Sequence, residues 1–201
     1  MLDFVIALTV LPVLAPVIAL VCVAIMIESP GNPFYGGWRV GKHGQLFRMW
    51  KFRTMVMHAD KLGTAITTRR DPRITRVGWF LRKTKIDELP QFFNLLLGDL
   101  TLIGPRPECP NLFEQYTPEQ KQIFTVKPGI TGPVQLRYTD LEAEAIPDGQ
   151  DAEKFYIECV LDEKVRMDIE YLKTRTPLSD CRVVLQTILL MARSAMVAVR
   201  R

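Results

Sequence analysis

The most apolar stretch of the chain lies at its start, where the residues from Phe4 to Ile27 carry no charged side chain. About 20 consecutive apolar residues suffice to cross a bilayer as a helix, so this run is long enough to span. Two prolines interrupt it. Pro16 has no N–H to give to the carbonyl of Pro12, and its ring presses on the preceding turn, which predicts a bend there. In hydrocarbon the orphaned carbonyl needs a protein group or water as partner. The pattern suits a straight spanning anchor, and equally a helix-break-helix hairpin that enters and leaves by one face. A cleavable signal would want a basic start and a small-residue cleavage site, and the run has neither.

After Glu28 the pattern becomes mixed. Ser29 to Gly37 is rich in Pro and Gly and reads as an exit turn. Tyr35 and Trp38 then fall where interfacial aromatic anchors are expected. Gln45 to Met57 interleaves Phe47, Trp50, Phe52 and Met55 with Arg48, Lys51 and Arg53, as a strand would, or a helix lying on a membrane. Asp71 to Lys85 is dense in Arg and Lys, and Ile74, Val77, Phe80 and Leu81 would form the core face of a helix. Asp87 to Gln91, the apolar Phe92 to Leu97 and then Gly98 read as a helix that starts on acidic residues and stops at glycine. Leu100, Leu102 and Ile103 form a short apolar segment. Lys127 to Pro133 is a rigid turn segment whose glycines permit close backbone approach. Leu141 to Asp151 is an acidic loop. Ala152 to Thr174 is a helix with Phe155, Cys159, Val165, Ile169 and Leu172 near one face. Asp180 to Arg201 is an apolar helix edged by Arg182, Arg193, Arg200 and Arg201, packed on the body or lying at an interface.

Composition places the body without changing this picture. Hydrophobic residues make up 48% and charged ones 24% of the 201 residues, as in an ordinary globular protein. The chain's net charge is +4, and all of its Lys and Arg lie after the apolar run. A modestly basic body beside an apolar anchor suits an anionic lipid surface or a phosphate-rich substrate, and the positive-inside rule puts it in the cytoplasm. The aromatic platform is too thin for nucleic-acid binding, so no nucleic-acid partner is expected. Cys22, Cys109, Cys159 and Cys181 are far apart, and His43 and His58 complete no ligand set; the cysteines read as reduced thiols.

Candidate chemistry gathers at two motifs. Asp87 and Glu88 are adjacent carboxylates that invite a divalent cation, and magnesium prefers hard oxygen ligands together with substrate phosphates. Arg106 stands between Pro105 and Pro107, which stiffen the backbone and present a rigid bidentate donor suited to phosphate oxygens. Each has a plainer reading, an acidic first helical turn for the pair and a surface charge in a turn for the arginine.

The order of these signals resembles the monotopic phosphoglycosyl transferases, also called bacterial sugar transferases, over essentially the whole chain. The residues that carry the resemblance are Asp3, Ala15-Pro16, Ser29-Pro30-Gly31, Arg39-Val40-Gly41, Lys51 to Met55, Asp71 to Thr75 and Leu81-Arg82-Lys83. Asp87 to Gln91, Gly98-Asp99, Gly104 to Glu108, Pro128 to Gly132, Gln135, Asp168, Asp180 and Thr187 complete the match. Ala15 stands where the family often has Ser, which removes a hydroxyl that could repair the break at Pro16. Arg137 lies closer to Gln135 than the comparable family arginine does to its glutamine.

The resemblance implies an α+β, predominantly helical fold, with a re-entrant membrane helix hairpin over residues 1–28. A cytoplasmic catalytic domain with amphipathic interfacial helices would follow over 29–201. It implies a monotopic enzyme of the bacterial inner membrane that moves a sugar phosphate from a UDP-sugar to a polyprenyl phosphate. Asp87 would attack the β-phosphorus and form an aspartyl-phosphosugar. Mg2+, held by Asp87 and Glu88, would neutralise diphosphate charge. Arg106 would bind phosphate, with Lys51, Arg82 and Arg137 as further cations. A non-catalytic nucleotide-sugar-binding or scaffold relative is the alternative, and a metal-dependent phosphohydrolase a third class.

Overall fold

The computed structural model describes residues 2–59, 71–138 and 152–199, so the acidic segment 141–151 lies outside the described residues. The apolar run is α1, Leu2–Glu28, helical through both Pro12 and Pro16 rather than divided into two helices. The Thr9 hydroxyl donates to the carbonyls of Val5 and Ile6, each at 3.0 Å, the kind of back-bonding that bends a helix. Both ends of α1 are tied to the body. At one end the Asp3 carboxylate accepts from the Thr101 hydroxyl at 2.8 Å and from the Leu102 N–H at 3.1 Å. At the other, the Glu28 carboxylate accepts from the N–H groups of Arg76 and Val77, each at 2.8 Å. Those two amides open a helix, where an anion is favoured.

The first strand, β1 (Phe34–Val40), begins inside the segment read as an exit turn. It pairs antiparallel with β2 (Leu46–Phe52), which settles the strand-or-helix alternative for that stretch. Gly36 survives within a strand because the Trp50 ring occupies its side-chain space; a Cβ there would lie 2.9 Å from the ring. Tyr35 and Trp38 are exposed on this hairpin. Phe34 stacks on Phe52 with ring centroids 5.5 Å apart, and Phe52 packs with Val21 and Ile25 of α1.

Helix α2 (Arg76–Thr84) is capped by the Thr75 hydroxyl, which accepts from the Gly78 N–H at 2.9 Å. Its glycine is required by packing: a Cβ on Gly78 would sit 2.0 Å from the Thr54 carbonyl oxygen. Helix α3 (Gln91–Leu97) stops at Gly98, whose φ of 82° is the left-handed cap expected of that glycine. The short apolar segment is β3 (Thr101–Ile103), parallel to β4 (Gly129–Thr131) within the Lys127–Pro133 segment. Close backbone approach is realised there, since a Cβ on Gly129 would lie 2.1 Å from the Gly104 nitrogen.

The remaining elements are α4 (Pro110–Phe113), α5 (Pro133–Tyr138), α6 (Ala152–Phe155), α7 (Leu161–Thr174) and α8 (Pro177–Val199). A π-helical turn, Tyr156–Val160, joins α6 to α7, so residues 152–174 run as one helical stretch. The wider turn advances the register, which puts Tyr156 and Val160 into the core and leaves Cys159 exposed, against its expected place on the buried face. The second core lies here, with Val40, Leu112, Tyr116, Phe124, Leu161 and Val165 around Tyr156. Helix α8 starts three residues before the expected Asp180 and leaves Leu185, Ile188, Leu189 and Met196 exposed.

Candidate active site

The site is built where α2 ends. Lys85 adopts a left-handed conformation (φ 61°), which reverses the chain into a 3-10 turn, Ile86–Glu88. Pro90, not Asp87, precedes the first residue of α3. Asp87 is therefore no N-cap, because the local signal was overridden by the turn that tertiary packing imposes. The turn buries Asp87 to 7% exposure and points Glu88 at two cations. Lys51 Nζ lies 2.7 Å from Glu88 Oε1, and an Arg106 guanidinium nitrogen lies 3.6 Å from the same oxygen.

Each cation is delivered by a distinct local device. In the block Lys51 to Thr54, alternate strand residues diverge. Lys51 reaches Glu88, Phe52 enters the core, and Arg53 donates to the carbonyls of Ser29 and Pro30. The Thr54 hydroxyl accepts from Arg82 Nε at 2.8 Å. Arg106 follows β3 through a wedged corner: the Gly104 N–H donates to the Thr131 carbonyl at 2.9 Å, and the Pro105 carbonyl accepts from the Gly129 N–H at 2.8 Å. Pro105 and Pro107 are both buried, so the half-exposed arginine stands on a fixed backbone.

The two carboxyls sit in opposed fields. Burial pushes the Asp87 carboxyl up, against the pull of Lys51, Lys85 and Arg82, while the Glu88 charge adds to the rise. Burial also pushes Glu88 up, but Lys51, Arg106 and Lys85 together outweigh it and hold that carboxyl at about 2. Asp87 Oδ1 is buried without a hydrogen-bond partner. An orphaned carboxylate oxygen beside a second carboxylate fits a hard divalent cation. Among the described residues no cluster of three His, Cys, Asp or Glu side chains is present, so substrate oxygens and water would complete such an ion.

A cavity of about 370 Å³ opens beside the pair, with Lys85, Glu88 and Arg106 at its polar end. Its other walls are largely apolar and come from Ile6 and Val10 of α1, Phe92 of α3, Val134 of α5, and Ile188 and Met191 of α8. The arrangement sets two carboxylates and several cations beside an apolar chamber that the apolar helix α1 helps to wall, a setting that could take a phosphate with an apolar tail.

Lys51, Arg82, Asp87, Glu88 and Arg106 are thus brought together. Arg137 is not among them; it pairs with Glu163 at 2.9 Å on an exposed surface. Asp168 is buried near Lys164, in a cluster where Lys164 donates to the Tyr156 hydroxyl at 3.0 Å and that hydroxyl donates to Glu108 at 2.8 Å. Asp180 holds Arg175 at 2.7 Å and the Tyr171 hydroxyl at the start of α8. Lys85 was not expected at the site. Its basicity was visible within a dense basic run, but the left-handed turn that aims it was not.

The sequence model of the bacterial sugar transferase family matches residues 1–194. A Bacillus subtilis protein provisionally named undecaprenyl-phosphate N-acetylgalactosaminyl 1-phosphate transferase is 44% identical over 145 residues, 71% of this chain and 78% of the relative. UDP-glucose:undecaprenyl-phosphate glucose-1-phosphate transferases of Escherichia coli and Caulobacter vibrioides are 36% and 34% identical over 92% and 93% of this chain. The chain spans 38% of the Escherichia coli protein and 67% of the Caulobacter one.

Proposed function

We propose that this chain, which belongs to the bacterial sugar transferase family, moves a sugar 1-phosphate from a UDP-sugar to a polyprenyl phosphate at the cytoplasmic face of the inner membrane. The observation that carries the reading is the pairing of opposites at one place. Glu88 Oε1 is gripped by Lys51 and Arg106 at the polar end of an apolar cavity that α1 helps to wall, and Asp87 beside it keeps an unpartnered oxygen.

In the first half-reaction an Asp87 carboxylate oxygen attacks the β-phosphorus of the donor. The bond to the bridging oxygen breaks, UMP leaves, and a phosphosugar remains on Asp87. In the second, an oxygen of the polyprenyl phosphate attacks that phosphorus, giving the polyprenyl diphosphate sugar and restoring the Asp87 carboxylate. Arg106 and Lys51 hold phosphate oxygens through both halves. Glu88 orients those two cations. Mg2+, held by Asp87 and Glu88, would offset charge on the diphosphate.

The same reading has α1 enter the membrane and return to the cytoplasmic face, bent at Pro12 and Pro16. A straight helix of 27 residues is about 40 Å long, more than the roughly 30 Å of bilayer hydrocarbon. A perpendicular span would leave only one end beside the body, whereas Asp3 and Glu28 both bond to it; this supports a re-entrant path. The exposed apolar residues of α8 suit a helix lying at the interface.

The test is to incubate the protein with a UDP-sugar and magnesium, with and without polyprenyl phosphate, and to follow UMP. Carrier-dependent release is expected. Release that ignores the carrier would make the protein a hydrolase, and no release with any of a panel of UDP-sugars would make it a binding or scaffold relative.

A further inference from the structure

The two small sheets share a weakness: among the described residues each has two strands, so the outer side of each strand leaves backbone polar groups without a strand partner. An unpaired edge N–H is costly, and most costly beside a membrane. In both sheets a side chain closes the edge. On β2, Asn94 accepts from the Trp50 N–H at 2.9 Å and donates to the Arg48 carbonyl at 2.7 Å. On β3, Thr101 and Ile103 are the residues registered with β4, and the Leu102 N–H turns to the opposite edge. Asp3 meets it there at 3.1 Å and takes the Thr101 hydroxyl at 2.8 Å with its other oxygen. Bonds to an ionised acceptor are the stronger kind.

We propose that Asp3 is a positioning residue for the transfer: it fixes β3, and through β3 it holds Arg106 opposite Glu88. Ile103, Gly104 and Pro105 are all that separates Leu102 from Arg106. None of them supplies slack. A Cβ on Gly104 would lie 2.8 Å from the Lys127 carbonyl oxygen, and Pro105 is bonded to Gly129 and buried. Movement of β3 is therefore passed on to the backbone that carries Arg106. Ile6 and Val10 follow Asp3 at helical spacing on the face of α1 that lines the cavity, so the bonds that aim Arg106 also seat that wall.

A misplacement on the order of 1 Å costs on the order of 100-fold in rate, so Asp3→Ala should lower kcat by roughly tenfold to 100-fold. The inference rests on the transferase reading for its assay. Carrier-dependent UMP release by the unaltered full chain in lipid nanodiscs is measured first, and its absence would sink that reading rather than this one. Turnover, donor KM, membrane retention and melting are then compared for Asp3→Ala, Arg106→Ala and the double variant. The expected result is a loss of kcat in Asp3→Ala and no further loss when it is added to Arg106→Ala. A wild-type kcat in Asp3→Ala overturns the proposal. So does an equal fold-loss in both backgrounds, since a purely structural role would act whether or not Arg106 is present. If Asp3→Ala does not fold, Asp3→Asn, which keeps an acceptor oxygen, is compared in the same two backgrounds and judged by the same criterion.

Discussion

Replacing Asp168 by Asn should stabilise the protein, and by more as the pH rises. Asp168 is 5% exposed, and its Oδ1 has no hydrogen-bond partner. Burial pushes its carboxyl up to about 7 from an ordinary 3.8, against the pull of Lys164. A carboxyl raised in the fold favours folding fully only below its unfolded value, and that advantage is lost as pH rises through the folded one. The gap from 3.8 to about 7, at about 1.4 kcal/mol per pH unit, gives roughly 4 kcal/mol in full. Roughly 2–3 kcal/mol of it accrues between pH 5 and pH 8.5. Asn matches the neutral carboxyl in shape and cannot ionise. Thermal unfolding of the detergent-solubilised protein, followed by tryptophan fluorescence at both pH values, reads the effect. At about 2–4 °C per kcal/mol for a chain of this size, the Tm gap between variant and wild type should widen by about 4–12 °C at the higher pH. A gap that stays constant, or a variant that is the less stable at pH 8.5, would refute the reasoning.

Three further outcomes follow from the same geometry. Asp87→Asn should abolish UMP release yet raise the Tm at neutral pH, because burial makes the Asp87 charge costly in the fold; a fall in Tm would contradict that burial. Lys51→Met removes the nearest cation from Glu88 and should cost roughly 3 kcal/mol of stability, along with turnover; urea unfolding that matches wild type would show the pair to be dispensable. Gly129→Ala drives a Cβ into the Gly104 backbone, and should cost about 3 kcal/mol or more, or prevent accumulation of folded protein, which melting and yield would reveal.

What the sequence made legible was whatever depends on local chemistry. An apolar run forms a helix, Gly98 ends one, and Gly129 allows two backbones to touch because no other residue would fit. The alternation from Lys51 to Thr54 separates a site lysine, a core phenylalanine and a hydroxyl partner for Arg82. What escaped it depends on distant partners. Phe34 to Val40 pairs as a strand although its glycines argue for a turn, because Trp50 across the sheet fills the space beside Gly36 and the side chains of Tyr35 and Arg39 that beside Gly37. Lys85 takes a left-handed conformation that its side chain does not favour, and this moves Asp87 out of the helix cap. Asp3 and Asn94 stand in for missing strands, roles that appear only when the edges they close are known.

The proposed division of labour between Asp87 and Glu88 can be argued from what each oxygen already holds. Neighbouring titratable groups whose environments push them apart take different roles in a reaction. Glu88 Oε1 is engaged by both Lys51 and Arg106, and those cations keep its carboxyl at about 2. An attack by that oxygen would surrender both contacts as its charge passed to the departing UMP, and would leave two cations facing each other. Asp87 differs. Its Oδ1 has no protein bond to lose, and its charge is raised in free energy by burial rather than soothed by a contact. Forming the acyl phosphate removes that charge from the carboxylate, so the cost of burial assists the first half-reaction. The reverse holds in the second half-reaction, where regenerating the carboxylate is uphill unless a cation meets it. The cations gathered by Glu88 lie where that charge returns, and Mg2+ held by the two carboxylates would add positive charge there. The less comfortable carboxylate is thus the better nucleophile, and the tightly held one the better organiser of its surroundings.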